Sequence, residues 1–174
     1  MEEKKSAFGP SVMSGIYLGI ALIVFSLITF LLDVDMESPI KYISYVILAI
    51  GLYWAVITFR NKHRGGFIDY KGAFGTGFYT GLFASFLLGI FTYIYVQYID
   101  TGLVQEILIK AEEGMLESNP NMSDEQIDQA LSMTEMFTSP IMMGVWGFVG
   151  NLFVSTILSL IIAIFAKREN KEIA

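Results

Sequence analysis

Four long, unbroken apolar blocks constrain this chain more than any other feature of it: Val12 to Leu32, Ile40 to Phe59, Ala73 to Ile99 and Ile141 to Ala166. A helix rising 1.5 Å per residue needs about 20 residues to cross a hydrocarbon core of about 30 Å. Each block meets or exceeds that length, and the third is long enough to tilt or to run out of the lipid. Composition agrees, with 54% of residues hydrophobic, 14% aromatic and 16% charged, a distribution more apolar than that of an ordinary soluble domain. The expected fold is an all-α membrane protein, a single integral membrane domain over residues 1–174 with four transmembrane helices. The first block is expected to stay attached as a helix, because its apolar run is longer than the core of a signal peptide and no small-x-small cleavage site follows before Asp33.

Four crossings put both termini and the middle loop on one side. Nine of the eleven basic residues lie there: Lys4, Lys5, Arg60, Lys62, Arg64, Lys71, Lys167, Arg168 and Lys171. By the positive-inside rule that side is cytoplasmic. The other side carries Asp33, Asp35, Glu37 and nine acids between Asp100 and Glu135, against Lys41 and Lys110. The net charge of -6 therefore averages two unlike faces and gives no sign of a nucleic-acid partner. Tyr42, Tyr45, Tyr93, Tyr95, Tyr98 and Trp146 near the outer ends, with Tyr53 and Trp54 near the inner, fit an interfacial girdle.

The stretch GAFGTGFYTG, Gly72 to Gly81, is a near miss to a dinucleotide-binding fingerprint. That motif needs a buried strand before it and an amphipathic crossover helix after it. Here a charged, glycine-broken loop precedes and a membrane span follows, and no Gly-Lys-Ser or Gly-Lys-Thr makes a Walker loop. The small residues instead recur at every fourth position: Ala73, Gly77, Gly81, Ser85 and Gly89. The last span has a matching row, Gly147, Asn151, Ser155, Ser159 and Ala163, and the first a shorter one, Gly15 and Gly19. Such rows let helix backbones approach closely in lipid, where association draws on van der Waals contact. Spans three and four are expected to cross tightly along them; a row used for a homo-oligomer is the alternative.

In the middle loop, Gly65 and Gly66 break the chain and Asp69 suits the N-cap of the third span. His63, in a basic loop, reads as a solvated surface residue. Residues 100–139 form a helical hairpin between helices 3 and 4, expected to be extracytoplasmic. One apolar stripe comprises Val104, Ile107, Leu108, Ala111 and Met115; the other comprises Ile127, Ala130, Leu131, Thr134 and Phe137. The turn SNPN separates them, and Ser123 to Gln126 reads as a capping box. The acidic back of this hairpin would be repelled by anionic lipid, so the hairpin is expected to pack on the bundle's outer mouth or on a partner. Asp124 and Asp128 share a face, but hard cations need six or more converging oxygens. Met133, Met136, Met142 and Met143 suit adaptable packing at a helix junction better than copper, in a chain with no cysteine and one histidine.

The segments FIDYKGAFGTGF and EQIDQALSMTEMFTSPIMMGVWGFVG, which enter spans three and four, resemble the domain-of-unknown-function 4199 family of small bacterial membrane proteins. Ile68, Tyr70, Ala73, Phe74 and Gly77 fit its pattern, while Lys71 and Gly72 depart from the usual order. The resemblance covers nearly the whole chain and implies four spans and a bacterial inner membrane. It implies no activity, substrate or catalytic residue.

The expected function is that of a noncatalytic integral membrane protein acting by helix association, as a homo-oligomer or as an accessory subunit beside a membrane protein partner. The span interiors hold no ionisable residue of the kind that proton relays use, and Ser155 and Ser159 have no basic partner within a span. No cofactor, metal or catalytic residue is indicated, and the chain is not expected to be an enzyme. The alternative is a small transporter or channel for a neutral solute, with Asn151 and Gln97 as the amides available to it.

Overall fold

The computed structural model describes residues 6–34 and 38–168. Lys4, Lys5, Asp35, Glu37 and Lys171, which entered the charge argument above, lie outside the described residues. The architecture is all-helical: α1 (Phe8–Leu31), a 3₁₀ turn (Pro39–Tyr42), α2 (Ile43–His63), α3 (Tyr70–Ile94), a π-helical turn (Tyr95–Ile99), α4 (Leu103–Ser118), α5 (Asp124–Phe137) and α6 (Pro140–Ala166). Four segments are long and apolar enough to cross a membrane: Phe8–Leu31, Pro39–His63, Tyr70–Ile99 and Pro140–Ala166.

The helices run past the apolar blocks wherever a terminus can be satisfied by polar chemistry. α1 begins at Phe8 because Pro10 falls in its first turn, where a missing N–H costs nothing. It ends in a Schellman motif: Asp33 N–H donates to Phe30 O and Val34 N–H to Thr29 O, both at 3.0 Å. Asp33 takes the left-handed position, φ 51°, usually given to glycine. α2 continues through Arg60 and Lys62, whose positive charge favours the carbonyl end of a helix, to His63, and stops where Gly65 and Gly66 take φ of 59° and 87°. α3 is capped by Asp69, whose carboxylate accepts from Gly72 N–H at 3.3 Å.

The chain divides into two compact units. The first comprises Met1–Leu88 and Val149–Ala174. Its core is built from Leu18, Leu22, Leu48, Leu52, Val56, Phe59, Ile68, Ala73, Ala84, Ile162, Ala163 and Ala166. Ile68 and Arg168 form an antiparallel bridge, exchanging backbone hydrogen bonds of 2.9 and 2.8 Å. It ties the middle loop to the end of α6, and the Arg168 guanidinium rests 5.6 Å from the centre of the Phe67 ring. Arg60 donates through Nη1 to the Ala166 carbonyl at 3.1 Å, a cation on the last turn of α6. His63 is half-buried and stacks on Phe59 with ring centres 5.5 Å apart, so it is not the solvated residue expected from its basic neighbours.

The second unit is Gly89–Phe148. α4 and α5 pack as a hairpin, with Ile127 buried and Val104, Ile107, Leu108, Ala111, Met115, Ala130, Leu131 and Thr134 half-buried. The Gln126 side chain accepts from Ser123 N–H at 3.2 Å, the return arm of the capping box. Phe137 departs from its expected stripe and is exposed. Met133, Met136 and Met142 are exposed as well, so they do not fill a helix junction; Met143 is half-buried.

Candidate functional site

The small-residue rows are the features that the fold brings together, and the first unit holds most of them. A Cβ on Gly77 would fall 2.7 Å from Ser159 Oγ, and one on Gly81 2.5 Å from Ser155 Oγ. Four residues further along α3, Ser85 Oγ accepts from Asn151 Nδ2 at 2.8 Å. Each step of four forward on α3 is thus matched by a step of four backward on α6, the register of two antiparallel helices meeting along their i, i+4 ridges. Ala73 and Ala163, the outermost members of the two rows in this unit, are fully buried. A side chain larger than hydrogen at Gly77 or Gly81 would force the backbones apart and forfeit the contact that holds helices together in lipid.

This interior contains many hydroxyls, and nearly all of them are returned to helix backbones. Ser85 Oγ donates to Gly81 O at 2.7 Å, Ser159 Oγ to Ser155 O at 2.7 Å, Ser155 Oγ to Leu152 O at 3.0 Å and Thr76 Oγ1 to Gly72 O at 2.8 Å. Ser11 Oγ crosses from α1 to Thr76 O at 3.3 Å. Such bonds let a hydroxyl be buried without the cost of an unmet donor. Thr80 Oγ1 is the exception, buried with no hydrogen-bond partner among the described residues. α1 joins through its own short row. A Cβ on Gly15 would lie 2.6 Å from Phe83 Cβ, and one on Gly19 3.0 Å from Leu87 Cδ1.

In the second unit the pairing differs from the expected row. A Cβ on Gly89 would meet Phe148 Cβ at 2.8 Å and Gly144 O at 3.0 Å, and one on Gly147 would meet Thr92 Oγ1 at 3.0 Å. Gly89 and Gly147 therefore find different partners from each other, and Gly144, outside the expected row, becomes the close-approach residue for Gly89. The reason is geometric. A row of every fourth residue drifts around a helix of 3.6 residues per turn, so contact passes to positions three residues away. The Gly144-x-x-Gly147 spacing was the available signal.

No chemistry-bearing cluster accompanies the seam. Among the described residues no three His, Cys, Asp or Glu side chains converge as metal ligands. Asp124 and Asp128 stand exposed on α5, and Gln97 is exposed on the π-helical turn.

No curated protein matches the chain, and no solved structure does. A family model does match, over residues 14–168, which takes in most of the first apolar helix, the other three and the hairpin. The chain is thus a multi-pass membrane protein, and it belongs to the family described as "Protein of unknown function (DUF4199)".

Proposed function

We propose that this protein acts by association within the membrane, as a noncatalytic accessory subunit or homo-oligomer, and not as an enzyme or a solute pathway. The observation that carries this reading is the state of Asn151, the one amide in the packed interior of the first unit among the described residues. Its Nδ2 is held by Ser85 Oγ at 2.8 Å, and Ser85 Oγ is held in turn by Gly81 O at 2.7 Å. A neutral solute would have to break this chain to use the amide, so the bond supports packing over transport. The hydroxyls of that interior are mostly returned to their own helices, and Ser11 and Asn151 bond across to α3, which leaves the exposed surfaces to carry function.

Because the rows of α3 and α6 face each other within one chain, a homo-oligomer would have to use other faces. The acidic hairpin is the natural surface for an accessory role, since Glu112, Glu113, Glu117, Asp124, Glu125, Asp128 and Glu135 are all exposed. We place the protein in a bacterial inner membrane with both termini cytoplasmic, on the strength of the basic residues gathered beside the middle loop and the end of α6. Crosslinking in native membranes, followed by mass spectrometry of co-purified proteins, tests the association. A population of monomers with no companion protein sinks it. Reporter fusions to each terminus and to the α4–α5 turn test the orientation.

A further inference from the structure

The helix α5 has three faces where an ordinary amphipathic helix has two. Ile127, Ala130, Leu131 and Thr134 form the inward face of the hairpin. Asp124, Asp128 and Glu135 follow on one flank of that stripe. On the other flank stand Met133, Met136 and Phe137, spaced i, i+3, i+4 so that they share one surface, and 56%, 58% and 48% exposed.

We propose that the Met133, Met136 and Phe137 face lies in the lipid interface at the hairpin end of α6, so that the last turns of α5 are a membrane-docked helix. Three observations point to lipid as its occupant. Thr138 and Ser139 alone separate α5 from α6, and the link is tight: Thr138 N–H and Oγ1 both bond Thr134 O, at 2.9 and 2.8 Å, and Met143 N–H bonds Ser139 O at 2.9 Å. Three Cα-to-Cα steps of 3.8 Å keep Phe137 within about 11 Å of Pro140, the first residue of a membrane span, so the end of α5 is tethered close to the interface. Past the half-buried Thr138, Ser139 and Pro140, apolar exposure resumes in the first turns of α6 at Ile141, Met142, Val145 and Trp146, with the indole at a position typical of the interface. Finally, Asp124, Asp128 and Glu135 occupy the opposite flank, and Glu125, the remaining acid of α5, lies about two turns before Met133, so the last turns can bring the Met and Phe face to the interface without setting carboxylates against anionic headgroups. On this reading the acidic flank of α5 faces away from lipid while the Met and Phe face meets it.

The chain contains no cysteine, so single cysteines report without background. The full-length protein carrying Met133→Cys, Met136→Cys or Phe137→Cys is spin-labelled and reconstituted in phosphatidylcholine–phosphatidylglycerol vesicles. Val145→Cys serves as the lipid reference and Asp128→Cys as the water reference. The three labels are expected to collide more with oxygen than with a water-soluble nickel chelate, as at Val145. A charged maleimide is expected to react with them about tenfold more slowly than with Asp128→Cys, because thiolate formation is suppressed in apolar surroundings. Labels that behave like Asp128 overturn the proposal. So do labels shielded from both oxygen and nickel, which would mean that protein covers the face. Should Phe137→Cys fail to fold, the two methionine variants, at sites already exposed, carry the same readout.

Discussion

The side-chain amide of Asn151 on α6 donates to the hydroxyl of Ser85 on α3 at 2.8 Å, and that hydroxyl donates to the carbonyl of Gly81 at 2.7 Å. One polar chain therefore spans two helices and ends at the residue whose missing side chain admits Ser155. Asn151→Leu is expected to lower stability by about 0.6–1.7 kcal/mol, from the average to the upper end for interhelical hydrogen bonds in membranes. The double variant with Ser85→Ala should lose less than the two single losses added together, because one interaction is removed in all three. Unfolding in mixed micelles measures this. Additive losses would show that the two residues act separately.

Gly81→Leu places a large side chain where a Cβ alone would sit 2.5 Å from Ser155 Oγ. Overpacking of this kind costs about 1–3 kcal/mol or more, so a clear fall in melting temperature in detergent is expected, with membrane insertion intact. Gly75→Leu is the control, because a Cβ at Gly75 would meet nothing within 4 Å. Equal melting temperatures for the two variants would remove the seam from the account.

Arg60 caps the last turn of α6 by donating to Ala166 O at 3.1 Å. Arg60→Ala is expected to destabilise by about 1 kcal/mol through loss of a charge-assisted bond to a helix C-terminus. Hydrogen exchange at the Ile68 and Arg168 amides, which pair across the nearby bridge, should accelerate along with it. Unchanged exchange at both amides would show that the bridge stands without the cap.

Asp33 holds φ 51° at the end of α1. A left-handed non-glycine residue carries a cost of about 1 kcal/mol, reduced for Asp by local hydrogen bonding. Asp33→Gly is therefore expected to stabilise slightly or leave the melting temperature unchanged, whereas Asp33→Val, with a branched Cβ, should lower it. A fall on Asp33→Gly would show that the carboxylate itself matters there.

The helical termini were legible because their signals are local. Asp69 ahead of Lys71 and Gly72, the Ser123–Gln126 pair and the Gly65–Gly66 break each act within a few residues, and each appears as its chemistry requires. The Ile68–Arg168 bridge had no such signal. Its two residues stand one hundred positions apart, and nothing but the convergence of the α2–α3 loop and the end of α6 pairs them. The methionines misled for a related reason. Met133 and Met136 match a packing helix by composition, but which flank of α5 meets α4 depends on the hairpin's rotation, which sequence periodicity leaves open once three faces compete.

Four apolar helices, their polar ends and two rows of small residues could be read from the chain alone, because hydrophobic length, capping chemistry and four-residue spacing are properties of a single segment. The tertiary structure decided what those rows meet. Gly77 faces Ser159 and Gly81 faces Ser155 in step with the rows, while Gly89 turns to Gly144 and Phe148, and Gly147 to Thr92. A helix of 3.6 residues per turn cannot keep a four-residue row on one line, so the partner at each level is fixed by how two helices cross, a relation that neither helix contains alone.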